Sequence, residues 1–410
     1  MKHLISILVM ATLALGELAA QTISFSAYID TVRRHNIALS AQQYNLSIGE
    51  ADVAAARATD DPTLSVGYDN NSDWGIAMGQ SASAEISKAF SPGKLSARVA
   101  VAKSALELSR AEYDDFWRNL KADATIDFCD ALLSKELLNI GRNAYLNIEA
   151  LAQSDSIRFA KGEISELDML QSRLEQRRAQ QELNSRRTDY LNALILIDER
   201  CGLVTSTSDL EGSLAAPTQL YTLSYLIDQA YLNRPDLRAS VCAETLLDRE
   251  EKLALRERRS DLEFSLGANY NTQVRNEEAP APEFVGYSVG LSIPLPFTSV
   301  NQGVRKASQL RVSQAATETE ALRATIRAEV TRAYNNYQAA IERAKVYGDD
   351  MMSNAQVVLD GKLYAYRRGD TSLLEVLTAQ HTFNEIQEEY ASCLHDCMVA
   401  LAELERCTGM

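Results

Sequence analysis

Apolar residues recur every seven positions in two long stretches of the chain. The rows comprise Val99, Leu106, Tyr113 and Leu120 in the first stretch, and Val330, Tyr337, Ala344, Met351 and Val358 in the second. None of the eight prolines falls within 93–216 or 297–410, and proline breaks helix interiors. Sustained heptads in sequences rich in helix formers predict long helices that pack as coiled coils.

Each helical stretch has one natural break, at Gly162 in the first and at Gly369 in the second. Basic residues precede each glycine, as suits the C terminus of a helix. A serine follows, with an acidic residue three positions further on, which is close to a capping box for a new helix. These pairs are Ser165 with Asp168 and Ser372 with Glu375. Each stretch therefore predicts a helix of about 60 residues, a tight turn and a second helix of about 35–40 residues. At about 1.5 Å per residue, the longer helix would reach about 90 Å.

Between the helical stretches the pattern changes to strict alternation of apolar and polar residues. The alternating apolar positions are Leu262, Phe264, Leu266, Ala268 and Tyr270, then Val285, Tyr287, Val289, Leu291 and Ile293. Period-two runs of this length predict a β-hairpin at about 262–295, with a weaker counterpart at about 62–90. Such strands suit either a tilted bilayer crossing or a small soluble β-domain. In a bilayer we expect Leu266, Val289 and Leu291 to face lipid.

The chain repeats itself at long range. The segment from Phe159 to Leu170 (F-x-x-G-E-x-S-x-L-D-x-L) returns 207 positions later, from Tyr366 to Leu377 (Y-x-x-G-D-x-S-x-L-E-x-L). A period this long indicates a duplicated half-protein rather than a solenoid. We therefore predict one structural repeat at 21–215 and another at 216–410. Each has the order helix, β-hairpin, long helix, turn and helix.

Two strand pairs bear on the oligomeric state. Four strands cannot close a membrane barrel, and open sheet edges are not tolerated in lipid. If the hairpins enter a membrane, several chains have to pool their strands. The residues alone therefore predict an oligomer with a shared barrel on a helical tube.

The N-terminal segment and the charge balance indicate where the protein acts. A short basic start, an apolar run and small residues make 1–20 a predicted secretory signal peptide. The net charge of -15 argues against a nucleic-acid partner. Six cysteines are too few for a disulfide scaffold. Whether Cys201 pairs with Cys407, or Cys393 with Cys397, stays open against a role as small buried apolar residues.

These features together resemble the TolC-like outer-membrane efflux protein family over nearly the whole chain after residue 20. The segments that carry the resemblance are N-R-P-D-L-R-A at 233–239, L-S-I-P-L-P-F at 291–297, S-P-G-K at 91–94, and the turn segment 366–380. The resemblance implies a homotrimer with a twelve-stranded outer-membrane barrel and a periplasmic α-helical tunnel. It also implies a periplasmic adaptor and, through it, an inner-membrane pump as partners.

The resemblance assigns roles at the turns, which would form the closed end of the tunnel. Glu375 looks like a member of an acidic ring, and Asp168 and Tyr366 look like a pair that can hydrogen-bond between the two halves. Thr378 stands where the family often has a second acid, and Thr371 where an arginine can stand. The residue-level alternative, compatible with these roles, is that Asp168 and Glu375 cap their helices.

No enzyme, cofactor or metal site is predicted. After residue 20 the chain has three histidines, at 35, 381 and 395, and no nucleophile motif or phosphate loop stands out. The leading function is therefore a passive exit duct in the outer membrane. The alternative is a periplasmic adaptor or stalk, although an adaptor should carry one helical hairpin rather than two.

Overall fold

The structure is a computed structural model that describes residues 21–70, 79–257, 261–275, 277–278, 280–294 and 301–410. The predicted signal peptide at 1–20 lies outside the described residues. The same holds for 71–78 of the first predicted β-hairpin and for 295–297 of the second hairpin's exit motif.

The first half of the chain contains three strands and four helices within the described residues. In chain order they are β1 (Gln21–Ser24), α1 (Phe25–His35), α2 (Ile37–Ala55), β2 (Thr63–Asn70), β3 (Gln80–Phe90), α3 (Lys94–Ala160) and α4 (Glu166–Arg200). Helix α3 contains 67 residues, in line with its proline-free sequence.

The second half repeats this order with one difference, and it begins with a strand that lies before the predicted boundary at residue 215. Its elements are β4 (Thr207–Glu211), α5 (Leu223–Asn233), α6 (Pro235–Glu257), β5 (Leu262–Asn271), β6 (Phe284–Ser292), α7 (Asn301–Val346), a π-helical turn (Tyr347–Met351), α8 (Met352–Arg368) and α9 (Leu373–Thr408). The single long helix expected here is divided by the π-helical turn. Gly348 lies in that turn beside Tyr390, whose hydroxyl would be 3.3 Å from an added Cβ, so close packing on α9 accompanies the irregularity.

The chain forms two compact units. The first comprises the chain up to Gln43, together with Tyr113–Pro235 and Arg323–Met410. Strands β1 and β4 pair in parallel within it, and a buried core packs around Tyr28, Phe128 and Ile197. The helix joints of the two halves are held alike: Asn36 donates to the carbonyl of Arg200 at 3.0 Å, and Arg234 donates to that of Cys407 at 3.2 Å.

The second unit comprises Tyr44–Glu112 and Asp236–Leu322 and contains a four-stranded antiparallel sheet. The strand order is β2-β3-β5-β6, so the two β-hairpins lie side by side with β2 and β6 at the edges. Ile86 pairs with Leu266, which pairs in turn with Val289, so one face carries a continuous apolar row. The alternation in the sequence thus appears as a two-faced sheet.

No helix among the described residues combines the length and the apolar character needed to cross a bilayer.

Candidate functional site

The two turns that interrupt the long helices have the same backbone geometry. Gly162 and Gly369 adopt φ angles of 78° and 83°, in the left-handed region where glycine is favoured. The amide of Gly162 donates to the carbonyl of Phe159 at 2.8 Å, and the amide of Gly369 donates to that of Tyr366 at 3.0 Å. A second bond from the following amide completes a Schellman motif in both turns. We call α3 with α4 the first helical hairpin, and α8 with α9 the second helical hairpin.

The serine after each turn caps the next helix. The hydroxyl of Ser165 accepts from the amide of Asp168 at 3.1 Å, and that of Ser372 accepts from the amide of Glu375 at 3.4 Å. Ser165 also donates to the Asp168 carboxylate at 2.7 Å. Asp168 is therefore held by the N-cap residue of α4 through both its amide and its carboxylate.

The structure does not contain the predicted hydrogen bond between Tyr366 and Asp168. The Tyr366 hydroxyl instead donates to Oδ1 of Asp155 at 2.9 Å, across 211 positions of the chain. The reason is local, because Asp168 is held at its own helix end by Ser165. Asp155 lies in the last two turns of α3, facing the second helical hairpin. Its side chain is fully buried, and Tyr366 is 6 % exposed.

Arg158 completes this buried polar contact. Its guanidinium lies 4.9 Å from the centroid of the Tyr366 ring, a cation–π distance, and 4.0 Å from the Asp155 carboxylate. Burial raises the pKa of Asp155, while the hydrogen bond from Tyr366 and the charge of Arg158 oppose that rise. Burial and the bond to Asp155 raise the pKa of Tyr366, so its hydroxyl keeps the proton that it donates.

An apolar cluster surrounds the polar contact. Ile148 of α3 is buried with Tyr366 and with three residues of α9, namely Leu373, Val376 and Leu377. The two helical hairpins are thus joined by apolar packing with one buried hydrogen bond inside it. Farther along the helices, Arg186 of α4 donates to both carboxylate oxygens of Glu388 at 2.9 Å.

Glu375 is exposed and forms an ion pair within its own hairpin. Lys362 of α8 donates to its Oε2 at 2.5 Å. That hydrogen bond lowers the pKa of Glu375, so its carboxylate is charged near neutral pH. Glu375 therefore both lies at a helix N terminus and carries a surface charge.

Sequence reasoning overlooked Asp155. A signal for it was present, since Ile148, Leu151 and Asp155 follow one another at heptad spacing and put an acid in an apolar row. Such a residue is expected to have a polar partner on the facing helix.

The structure also locates the remaining candidates. Leu266, Val289 and Leu291 lie on the sheet at exposures of 65 %, 82 % and 57 %. All six cysteines, which lie in the described part of the chain, are free thiols. Within the described residues no cluster of three or more histidine, cysteine or acidic side chains is arranged to hold a metal ion.

Comparisons with known proteins agree with this architecture. Residues 226–410 match the family described as Outer membrane efflux protein. The cobalt-zinc-cadmium resistance protein CzcC of Cupriavidus metallidurans is 24 % identical over 397 residues, which cover 95 % of this chain and 91 % of CzcC.

Solved structures show the same fold. The transmembrane channel protein CusC superimposes with a TM-score of 0.75 at 16 % identity, covering 94 % of this chain and 91 % of CusC. The CmeC outer membrane channel of Campylobacter jejuni gives 0.73 at 13 % identity, covering 94 % and 85 %.

The second half of the chain therefore matches the outer membrane efflux protein family, and CzcC is similar over nearly the whole chain. The predicted fold class is confirmed as mainly helical with β-hairpins in repeated helix–strand halves. The protein is an outer-membrane efflux channel rather than an enzyme, and the adaptor alternative is set aside.

Proposed function

We propose that three copies of this chain form one continuous export duct through the outer membrane and into the periplasm. The observation that carries this proposal is the four-stranded sheet with its strand order β2-β3-β5-β6. One face of that sheet bears large, exposed apolar side chains, such as Tyr287 at 84 % and Val289 at 82 %. Such a face suits lipid, and exposed apolar surface of this kind marks an interaction surface.

The sheet edges give the reason for several copies. Within the described residues β2 pairs with β3 alone and β6 with β5 alone, so one edge of each outer strand has backbone groups without a strand partner. An unsatisfied backbone group in hydrocarbon costs several kcal/mol, on the order of a lost hydrogen bond or more. Pairing β6 of one copy with β2 of the next removes every edge. A closed ring of three copies then contains twelve strands.

The helices extend the duct on the periplasmic side in this proposal. The turns at Gly162 and Gly369 form its tip, which contacts a periplasmic adaptor and through it an inner-membrane pump. Exposed side chains at both turns, including Leu167 at 77 % and Leu374 at 64 %, are available for such a partner. The match of residues 226–410 to the outer membrane efflux protein family supports the partner class.

The tip residues are assigned two roles. The buried bond between Tyr366 and Asp155 holds the two helical hairpins together and favours a closed tip. Glu375, exposed and charged, contributes to a ring of carboxylates that favours cations over anions. Asp168 serves mainly as a helix cap.

We infer divalent transition-metal cations as the substrate class. The alignment to a protein named for cobalt, zinc and cadmium resistance covers 95 % of this chain, which supports the assignment. Deleting the gene should lower the minimal inhibitory concentration of these metals, with an organic antimicrobial as the control. Equal sensitivity to the metals with and without the gene would contradict this substrate class.

Assembly is tested by fractionation and light scattering. We expect the full-length protein in the outer-membrane fraction, and a detergent-extracted particle whose protein mass is three times that of one chain. A folded, monodisperse monomer would contradict the proposal, because a single four-stranded sheet cannot close on itself.

A further inference from the structure

A surface groove runs along the second helical hairpin. It has a volume of about 610 Å³ and lies between α9 and the segment formed by the π-helical turn and α8. Its lining includes Ala355 and Val358 from α8, Leu374 and Ala379 from α9, and the Lys362–Glu375 ion pair at its rim. Val358 is 56 % exposed, so the groove presents apolar surface to solvent.

The internal repeat relates this groove to a surface that is filled. The repeat offset of 207 positions assigns each groove residue an equivalent in the first helical hairpin. These equivalents lie on the face against which the second helical hairpin packs. The equivalent residues are Ile148 for Ala355, Leu151 for Val358, Asp155 for Lys362 and Ser172 for Ala379. Ile148 and Leu151 pack with Tyr366, which also donates a hydrogen bond to Asp155. The same docking face therefore occurs twice, and one copy of it is occupied within the chain.

The side chains that fill the first docking face also have equivalents in the internal repeat. Tyr366 and Leu377 enter that face, with exposures of 6 % and 4 %. Their repeat equivalents are Phe159 and Leu170, which are 39 % and 44 % exposed. Each chain thus has one empty docking face, the groove of the second helical hairpin. It also has one exposed pair of apolar side chains, Phe159 and Leu170, that is not docked within the chain.

We propose that Phe159 and Leu170 of one copy dock into the groove of the second helical hairpin of a neighbouring copy. The contact between copies then repeats the contact within each chain. It is a head-to-tail contact, and such contacts close into rings when the rotation between copies allows. The proposal rests on the trimer proposed above and adds the surfaces that meet near its tip.

The residue exchanges between the halves agree with this docking. Where Tyr366 faces Asp155 within the chain, Phe159 would face Lys362 between copies. The hydroxyl donor and its carboxylate acceptor are therefore lost together, which leaves no buried polar group without its partner. The Lys362 ammonium remains paired with Glu375, while its aliphatic stem can pack on the phenyl ring.

The charges beside the two surfaces are opposite. Exposed cations flank Leu170 on α4, at Arg173 and Arg177, whereas the exposed acid Glu375 of α9 lies at the rim of the groove. Opposite charges across an interface favour the correct partner and orientation.

Paired cysteines test the contact. Full-length protein carrying Phe159→Cys and Lys362→Cys is treated with a short bismaleimide in isolated outer membranes and analysed by denaturing electrophoresis. We expect bands of two and three linked chains. Each single substitution is run in parallel, because the six natural thiols are present in every sample.

Two matched pairs control the chemistry and the geometry. Arg186→Cys with Glu388→Cys replaces an ion pair that lies within one chain, so it should link without forming multi-chain bands. Ile157→Cys with Lys362→Cys uses an exposed residue on a different side of α3, and should give no multi-chain bands. Suppose that the protein is trimeric by light scattering, but that the Phe159→Cys and Lys362→Cys pair links copies no better than the Ile157→Cys and Lys362→Cys pair. The proposed docking would then be wrong, although the trimer would remain supported. A monomer in light scattering would instead overturn the trimer and the docking together.

Charge insertion gives an independent measurement. Leu170→Glu and Val358→Glu, one on each surface, should shift the detergent-extracted protein from trimer towards monomer with unchanged helix content by circular dichroism. Ile157→Glu is the control and should leave the trimer intact. A wild-type trimer fraction in both Leu170→Glu and Val358→Glu would overturn the proposal.

Discussion

Tyr366 and Asp155 form a hydrogen bond of 2.9 Å between the two halves of the chain, inside an apolar cluster. The bond joins α8 to α3 close to the turns at Gly369 and Gly162. An intramolecular hydrogen bond contributes about 0.5–1.5 kcal/mol net, and leaving a buried partner unsatisfied costs about 1–3 kcal/mol, so this contact helps to hold the hairpins together.

The first prediction concerns the partners of this bond. Asp155→Ala leaves the buried Tyr366 hydroxyl without its acceptor, which should lower the free energy of unfolding by about 1–3 kcal/mol. Asp155→Asn keeps the shape and an acceptor oxygen, so we expect a smaller loss. The measurement is the thermal midpoint of detergent-solubilised protein, followed by circular dichroism. Equal midpoints for wild type and Asp155→Ala would contradict this account.

The second prediction is a pH dependence with a defined sign. Burial raises the pKa of Asp155 in the folded state, so the folded protein keeps this proton to a higher pH than the unfolded chain does. The contribution of Asp155 to stability is therefore fully present below the usual aspartate pKa and is lost as pH rises through the raised folded value.

Asp155→Asn removes this titration and serves as the reference. The stability of wild type relative to Asp155→Asn should increase as pH falls from neutral into that window. Parallel thermal midpoints of the two proteins over the whole pH range would show that Asp155 does not titrate as its burial implies.

The third prediction concerns the glycines of the turns. Gly162→Ala and Gly369→Ala should each cost about 1–2 kcal/mol, because both residues have a left-handed backbone although nothing lies within 4 Å of an added Cβ. Gly361→Ala is the matched control, since Gly361 lies inside α8 with equally open space. It should instead stabilise the helix by about 0.5–1 kcal/mol. The thermal midpoints should thus move in opposite directions, and a common direction would argue against backbone strain as the cause.

The fourth prediction concerns the strands. Val289→Lys places a charge on the apolar face of the sheet and should cost about 2–4 kcal/mol if the residue lies near the bilayer midplane. Ser288→Lys, on the other face, should be tolerated. The amount of assembled protein in outer membranes distinguishes the two variants. Equal losses would contradict the assignment of that face to lipid.

Much of the fold follows from local sequence patterns. The heptads and the proline-free stretches indicated the long helices, and the alternation at 262–295 indicated β5 and β6. The turns followed from a glycine with a serine and an acid after it, because left-handed closure and N-capping are local effects.

Features that depend on distant residues could not be predicted in the same way. The π-helical turn at Tyr347–Met351 was not predicted, and its Gly348 lies beside Tyr390 of α9, a contact between distant residues. The partner of Tyr366 was assigned to Asp168 from the turn motif, but the N-cap residue Ser165 had already engaged Asp168. Asp155 became the partner because tertiary packing brings its row on α3 against α8.

Glu375 provides the fifth prediction, on ion selectivity. In the proposed ring of carboxylates, its exposed side chain would act on a permeating ion. Glu375→Gln should therefore weaken cation selectivity and block by divalent ions, with little change in how often the channel opens. Reversal potentials in asymmetric salt measure the selectivity, and unchanged reversal potentials would remove Glu375 from the conducting path.

The most direct test of the central claim is single-channel recording of the purified full-length protein in planar bilayers. A closed duct held by the Tyr366–Asp155 contact should give small, cation-selective conductance in the wild type and larger conductance when Tyr366→Phe and Asp155→Ala are combined. Loss of three symmetric contacts would shift the open–closed equilibrium by several kcal/mol, roughly a hundredfold or more in population. If correctly assembled protein formed no channels, the proposed duct would be contradicted. Identical conductance in the wild type and the double variant would contradict the proposal that the Tyr366–Asp155 contact keeps the duct closed.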